Sequence, residues 1–454
     1  MRKYVPAQKQ DSLFAPTMKT IPIAIDPEHQ MVRLKGVLDW DAIVAVAERI
    51  RGTKILSNVG AKPHLRANVG AVVVRAMKSC DLRTASDLIQ NYLPARYLCD
   101  LHESQWTPDF RTLSDFEIML GDDGLAEINT IVLHGAKENG FLDVRGLCSD
   151  TTAQEAKIPY PNEVGLMRSF ADSVRRGITV VGGAMASGSR EVVETVKTIK
   201  KLVRKHRLFA KTKEAKREIE RALSELTKKL SQTLQDTLSK TKSNLSGKKA
   251  HAVKRLTELD EVMRKLLPQI DHYIQKGKVA KDKIISLFCP DLRSIVRGKS
   301  GKPVEFGLKW GINQIRGGYV SLFQMSGKNG EADYAVEGIH QHQDIFGVTP
   351  DEFGYDRGGW SEEHLKAIAD EGVKHIAVAP KGKAKWRVSK ACQERMVNER
   401  AQVEGKIGTM KHYGFNKPNS KTQNGMRRSA QRAALRFNMT KFVKDMALRK
   451  AATA

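Results

Sequence analysis

Three acidic residues, Asp150, Asp356 and Glu404, stand in local contexts that could support phosphoryl transfer. Asp150 ends an alternating apolar segment, Asp356 follows a short apolar segment, and Glu404 lies on a segment with helical spacing. Carboxylates recruited from separate strands and a helix can hold two magnesium ions about 4 Å apart, which stabilise the attacking and leaving oxygens of an in-line displacement. The residue types therefore predict a two-metal site that acts on a phosphate-containing substrate.

The segment around Glu404 carries two cations at helical spacing. At about 100° per residue, Arg400, Glu404 and Lys411 fall on one narrow face of a helix. An ordinary ladder of salt bridges, worth a few tenths of a kcal/mol per pair, is the structural alternative. Gly405 and Gly408 favour a binding role, because each glycine costs about 1 kcal/mol in a helix interior.

The positive charge of the chain is localised. The formal net charge is +26. Residues 190–283 hold 26 Lys and Arg against 12 Asp and Glu, and residues 405–454 hold 12 against 1. Localised positive charge is typical of surfaces that dock a polyanion such as DNA or RNA. A solvated helical face is the alternative for either stretch taken alone.

Cysteine usage and hydropathy point to an intracellular protein. The five cysteines are odd in number, widely spaced and contain no CxxC pair, which fits a reducing compartment rather than a disulfide framework. No run of 18 uncharged apolar residues is present, so no membrane partner is expected. We expect a cytoplasmic protein.

The hydrophobic patterns predict an α/β protein whose mixed sheet is flanked by helices. Residues 142–148 are a predicted strand that leads to Asp150, and a helical stretch with two apolar stripes predicts a long antiparallel hairpin as an insertion. Further strands are predicted at 304–312 and 319–325, around a Gly317-Gly318 turn. The predicted segments are 1–137 as a helical N-terminal DNA-binding domain, 138–189 and 284–415 as the two parts of a catalytic domain, 190–283 as a basic helical insertion, and 416–454 as a basic tail.

Three motifs carry a resemblance to a known family. They are Asp150-Thr-Thr-x-x-Glu-x-x-Ile-x-Tyr160-Pro161, Gly354-Tyr355-Asp356-Arg357-Gly358 and Arg400-x3-Glu404-x6-Lys411. With the helical segment 38–135, they resemble the DDE transposases of bacterial insertion sequences over about residues 38–415. The chain departs from that pattern at Val397, where many members of the family have a tyrosine.

The resemblance implies a ribonuclease-H-like catalytic domain in which Asp150, Asp356 and Glu404 hold two magnesium ions, with manganese as an alternative ion. It implies contacts to DNA from Arg400, Lys411, Tyr160, Arg357, Arg427 and Arg428. The expected partners are double-stranded DNA, as the terminal repeats of the element and as target DNA, and a second copy of the chain in a synaptic homodimer. The expected location is the cytoplasm, on the nucleoid.

Two other functions remain open from the sequence. A non-catalytic DNA-binding protein derived from a transposase would bind DNA in a salt-sensitive manner without a metal-dependent product. A nuclease on the same fold would cut nucleic acid without joining it. The intact acidic trio favours the transposase over both alternatives.

Overall fold

The computed structural model describes residues 25–54, 64–182, 189–241, 244–299, 302–325, 330–420 and 422–453. The chain is an α/β protein with a six-stranded mixed sheet, as the hydrophobic patterns predict. Its contacts divide it into two units, Met1–Thr152 with Trp310–Asn416 and Arg427–Ala454, and Ala153–Lys309 with Lys417–Met426. Within the ranges described, no helix combines the length and the apolar character needed to cross a membrane.

The sheet combines parallel and antiparallel strands. Its strands are β1 (Asp143–Glu155), β2 (Arg293–Lys299), β3 (Lys302–Arg316), β4 (Tyr319–Phe323), β5 (Glu352–Tyr355) and β6 (His375–Val378). The order is β2-β3-β1-β5-β6, and β4 also pairs with β3. Strands β1, β5 and β6 are mutually parallel, whereas β2 and β4 run antiparallel to β3.

The turn between β3 and β4 depends on glycine, as the sequence predicts. Gly317 and Gly318 have φ values of +100° and +90°, a region that residues with a side chain rarely adopt. A Cβ atom at Gly317 would also lie 2.1 Å from the carbonyl oxygen of Phe141. The close approach of the turn to the residues just before β1 therefore requires glycine at this position.

The helices before β1 range from 6 to 29 residues, and several of them begin at a side-chain cap. They are α1 (Gln30–Val37), α2 (Trp40–Lys54), α3 (Leu65–Lys78), α4 (Leu82–Asn91), α5 (Leu93–Leu98) and α6 (Phe110–Glu138). The side chains of Asp81 and Asp109 accept hydrogen bonds from backbone N–H groups at the starts of α4 and α6. Helices α4 and α5 are separate, because Pro94, the second residue of α5, lacks the N–H needed to continue α4.

The N-terminal helices share one hydrophobic core with the sheet. Leu125, Ile128 and Val132 of α6 belong to the same cluster of buried residues as Leu147 and Phe353. Four further helices complete the unit: α11 (Glu331–Phe346), α12 (Glu362–Asp370), α13 (Lys390–Met410) and α14 (Gln423–Thr453), the last from residue 427 onward. The described helices before residue 138 are thus packed as part of a larger body.

The C-terminal segment is a packed helix, which differs from the basic tail that its charge predicts. Leu435, Met439 and Phe442 of α14 are buried in the core of the first unit. The buried Asn438 accepts a hydrogen bond from the backbone N–H of Val320 in β4, at 3.0 Å. Charge counting overlooks this helix because its apolar residues are interleaved with arginines, and one of these, Arg432, itself packs inward against the buried carboxylate of Glu117.

The insertion in the second unit is a bundle of four helices, which differs from the predicted hairpin. Its helices are α7 (Glu163–Val181), α8 (Ser189–Leu208), α9 (Lys213–Ser239) and α10 (Gly247–Lys276). Phe170 and Val174 of α7 join the same buried cluster as Leu223 of α9 and Met263 of α10. The apolar stripes of the predicted hairpin need α7 to cover them, so the bundle begins well before residue 190.

Candidate functional site

The register of two parallel strands places Asp150 level with Asp356. In the pairing of β1 with β5, Cys148 is opposite Gly354. Continuing this register by two residues brings Asp150 opposite Asp356, the residue that directly follows β5. Neighbouring strands lie about 4.8 Å apart, so the two aspartates occupy adjacent positions where β5 ends.

Both aspartates belong to the face of the sheet that α13 covers. The Sγ atom of Cys148 lies 3.9 Å from the carbonyl oxygen of Met396 on α13, whereas the hydroxyl of Ser149 bonds to Asn313 on β3. Side chains alternate between the faces of a strand, so Asp150 shares the face of Cys148. Asp356 shares the face of Gly354 by the same alternation. A Cβ atom at Gly354 would lie closest to the side chains of Cys148 and Met396, so this face also lies under α13.

Helix α13 begins at a side-chain cap and packs on the sheet through one apolar stripe. The Ser389 side chain accepts a hydrogen bond from the backbone N–H of Cys392. Cys392, Met396, Val403 and Met410 are buried. Their spacing leaves Arg400 and Glu404, one turn apart, on the neighbouring flank of the helix.

One ion pair joins this flank of α13 to the end of β5. The Nη1 atom of Arg400 lies 3.7 Å from Oδ1 of Asp356, and both side chains are substantially exposed, at 37% and 53%. Glu404 is exposed and forms no salt bridge with the residues that the structure describes. The structure therefore brings Asp150, Asp356 and Arg400 to one face of the first unit, and Glu404 lies one helical turn beyond Arg400 on α13.

The other predicted DNA-contacting residues occupy several elements. Lys411 follows α13 directly and keeps helical backbone angles, so it extends the flank of Arg400 and Glu404. Arg357 is exposed in a single 3-10 turn after Asp356. Arg427 and Arg428 lie near the start of α14 and are half-buried. Tyr160 belongs to the second unit, where 77% of it is exposed and its ring meets that of Phe306 edge-on.

The donor set suits a hard divalent cation. Asp150, Asp356 and Glu404 offer carboxylate oxygens, the ligands that magnesium prefers. Within the described ranges, no three His, Cys, Asp or Glu side chains are already gathered into a metal-binding group. Coordination by this trio would therefore need these side chains to move closer together.

A second set of carboxylates lies close by and is saturated by arginines. Arg316 of β3 donates to Glu352 of β5 and to Glu399 of α13, each at 2.6 Å, and Arg395 donates to Glu352 at 3.0 Å. Burial lowers the pKa of the Arg316 guanidinium, but its bonds to Glu399 and Glu352 raise it more, so the net shift is upward. Burial raises the pKa of Glu352, whereas bonds from Arg395 and Arg316 bring it below its usual value.

The opposite flank of α13 carries a half-buried lysine that the sequence patterns do not single out. Burial lowers the pKa of Lys406 to about 8, and the charge of Lys441 adds to this effect. The Nζ atom of Lys406 donates to Oε1 of Gln314 in β3, at 2.6 Å. Neither this contact nor the Arg316 network leaves a local signal, because the partners are far apart in sequence.

Comparisons of this chain with models of protein families, with curated proteins and with solved structures find no match. The class of protein therefore has to be inferred from the site and the fold.

Proposed function

We propose that this protein is a DNA transposase of the DDE type, which cleaves the ends of an insertion sequence and transfers them to target DNA. The observation that carries the proposal is the alignment of Asp150 with Asp356 on the face covered by α13, where Arg400 contacts Asp356 and Glu404 lies one turn further. The three acidic positions, distant in sequence, follow one another in the order that the resemblance implies.

The sheet topology supports a ribonuclease-H-like fold. Strands β3 and β4 form an antiparallel hairpin beside β1, and β5 and β6 extend the sheet in parallel on the other side of β1. Helices α11, α12 and α13 follow β4, β5 and β6, respectively. In this order, Asp150 lies on the first strand, β1. Asp356 follows β5, which corresponds to the fourth strand of a ribonuclease-H-like fold, and Glu404 lies on α13, the helix after the last strand.

The mechanism assigns separate roles to carboxylates and cations. Asp150, Asp356 and Glu404 would hold two magnesium ions, with manganese as an alternative. When bound, such ions activate water or a DNA 3′-hydroxyl and stabilise the leaving oxygen. Arg400 is exposed enough to bind a backbone phosphate while it remains beside Asp356, and Lys411 offers a second cation on the same flank.

The proposed partners and location follow from this reaction. The substrate is double-stranded DNA, both as terminal repeats and as target. Because two ends are cut and joined together, we propose that the active form on DNA is a homodimer. A DNA substrate also implies action in the cytoplasm, on the nucleoid.

The test measures nicking and strand transfer on a duplex that carries the sequences flanking the gene, with and without magnesium. We expect Asp150→Ala, Asp356→Ala and Glu404→Ala each to abolish magnesium-dependent products. Glu394→Ala is the matched control, because Glu394 is an exposed carboxylate on the same helix. Activity that survives all three substitutions would disprove the proposal.

The same assay separates the alternatives. DNA binding that persists in the triple variant, with no metal-dependent product from the wild-type protein, would identify a non-catalytic DNA-binding protein. Cleavage by the wild-type protein without joined products would identify a nuclease on this fold.

A further inference from the structure

The second unit has an open cavity between helix α7 and the segment that leads to β2. Four residues of α7 line it, Ser169, Asp172, Arg175 and Arg176, and Phe288 from the other segment completes the lining. The volume of the cavity is about 320 Å³. This volume is at the lower end of the range for ligand sites, so the cavity suits one small ligand or one unit of a polymer.

The α7 side of the cavity carries unbalanced positive charge. Asp172 is the only carboxylate among the described lining residues, and its Oδ1 atom lies 2.6 Å from Nζ of Lys200. Arg176 donates to the hydroxyl of Ser173 at 3.1 Å. The exposed side chain of Arg175 has no hydrogen-bond or ion-pair partner within the ranges that the structure describes. The carboxylate is thus neutralised inside the protein, whereas the two arginines can bind an anion.

The position of Phe288 in the cavity is set by its neighbours in the chain. Leu287 and Cys289, on either side of it, are buried. The backbone N–H groups of Phe288 and Cys289 donate to the hydroxyl of Ser286, at 3.3 and 3.2 Å. Phe288 therefore projects outward and is 46% exposed. A solvated helix face would account for the arginines, but it gives no reason for an exposed aromatic ring beside them.

We propose that this cavity binds one unpaired nucleotide of a DNA strand, with the base stacked on Phe288 and the phosphate bound by Arg175 and Arg176. An aromatic side chain can stack on any base, but only on a base that has left the duplex. Guanidinium groups bind phosphate oxygens through paired N–H donors. From Ser169 to Arg176, α7 rises about 10 Å, which gives room for a base and a phosphate next to each other. The DNA source rests on the proposed function, whereas the nucleotide chemistry does not.

The test measures binding of a fluorescein-labelled single strand, oligo(dA), by fluorescence anisotropy at several salt concentrations in EDTA. Phe288→Leu should weaken binding about 5- to 30-fold, because leucine fills similar space but offers no ring for stacking. It should leave the slope of log affinity against log salt unchanged, since no cation is lost. Arg175→Gln should instead lower that slope by about 0.7, the value for one phosphate contact on a single strand. Wild-type affinity in both variants would overturn the proposal.

Matched variants separate lost binding from lost folding. Phe288→Trp keeps an aromatic ring and should retain the affinity for oligo(dA), and Arg175→Lys keeps the charge and should retain the salt slope. Both positions are exposed, so Phe288→Leu and Arg175→Gln should each change the melting temperature by less than about 2 °C.

A blunt duplex distinguishes an unpaired base from the backbone of paired DNA. Phe288→Leu should bind the duplex as the wild type does, because paired bases stay stacked on their neighbours. An equal loss of affinity for the duplex and for oligo(dA) would contradict a site for an unpaired nucleotide.

Titration with dAMP tests a free nucleotide as the other source of the same chemistry. Binding of dAMP that depends on Phe288 and Arg175, and that oligo(dA) displaces, would support the DNA source. The same binding without displacement by oligo(dA) would overturn it.

The outcomes for this site and for the proposed function are distinct. Asp150→Ala should bind oligo(dA) in EDTA as the wild type does. If no strand transfer is found but binding of oligo(dA) still depends on Phe288, the transposase assignment fails and the nucleotide site stands. Wild-type affinity and salt slope in Phe288→Leu and Arg175→Gln disprove the nucleotide site, whatever the catalytic assay shows.

Discussion

Strand β5 and helix α13 each contribute to two sets of carboxylates with opposite environments. Glu352 at the start of β5 and Glu399 on α13 are mostly buried and share Arg316. Asp356 directly after β5 and Glu404 on α13 are exposed, and the only salt bridge of this pair within the described ranges is the 3.7 Å contact of Asp356 with Arg400.

The difference shows how one helix and one strand can serve stability and binding at once. A carboxylate bound by arginines has its oxygens occupied and cannot accept a cation, so we call Glu352, Glu399 and Arg316 the saturated network. A carboxylate at the exposed end of the same elements retains free coordination positions. The saturated network fixes α13 against the sheet, and this fixes the positions from which Asp356 and Glu404 project.

The largest expected effect is a loss of strand-transfer activity when one of the exposed carboxylates is replaced. Asp356→Asn should lower strand transfer about 1,000-fold, equivalent to about 4 kcal/mol of transition-state stabilisation, because a metal ligand is lost. Its free energy of unfolding should change by less than about 0.5 kcal/mol, as for other exposed positions. Strand-transfer rates and urea denaturation check the two values. An equal loss of activity in Glu394→Gln would show that the effect is not specific to a proposed metal ligand.

The next effect concerns stability. Arg316→Met should lower the free energy of unfolding by about 3 kcal/mol, because it leaves Glu352 and Glu399 largely buried without their shared partner. Urea denaturation measures the change. Arg387→Met is the control: Arg387 pairs with Glu362 at an exposed site, where a salt bridge contributes less than about 1 kcal/mol. Equal losses of stability in the two variants would show that the saturated network contributes no more than an exposed salt bridge.

Acid should remove the stabilisation that Glu352 contributes to the saturated network. The pKa of Glu352 in the folded protein lies below its usual value of 4.5, so the unfolded chain binds more protons as the pH falls. Its stabilisation is therefore present above pH 4.5 and is lost below it. Glu352→Gln should flatten the fall in stability measured by denaturation at decreasing pH. A fall as steep in Glu352→Gln as in the wild type would contradict this prediction.

The smallest effect concerns the surface beside Glu404. A Cβ atom at Gly405 would meet nothing within 4 Å, so Gly405→Ala should raise the free energy of unfolding by about 1 kcal/mol through helix propensity. If DNA approaches this surface, the same change should weaken duplex binding severalfold. Gly36→Ala on α1 is a matched control with equally open space, and it should stabilise without affecting binding. Unchanged duplex affinity in Gly405→Ala would exclude close approach there.

Much of the secondary structure around the site could be predicted from local patterns. The predicted strands at 142–148, 304–312 and 319–325 correspond to β1, β3 and β4, and the predicted Gly317-Gly318 turn joins the last two. These features depend on neighbours within a few residues, such as the positive φ angles that Gly317 and Gly318 adopt in the turn. The four-helix bundle was predicted only in part, because an apolar stripe on one helix does not show which other helix packs against it.

The sequence by itself determined which residues could perform chemistry and which elements carry them, since side-chain types, caps and periodicities are local properties of the chain. Only the tertiary structure decided that Asp150 is level with Asp356, that Arg316 saturates Glu352 and Glu399, and that α14 turns its arginines toward Glu117. Strand register and ion pairing join residues that are far apart in sequence. Their distances are set by the packing of the whole core, which no local pattern specifies.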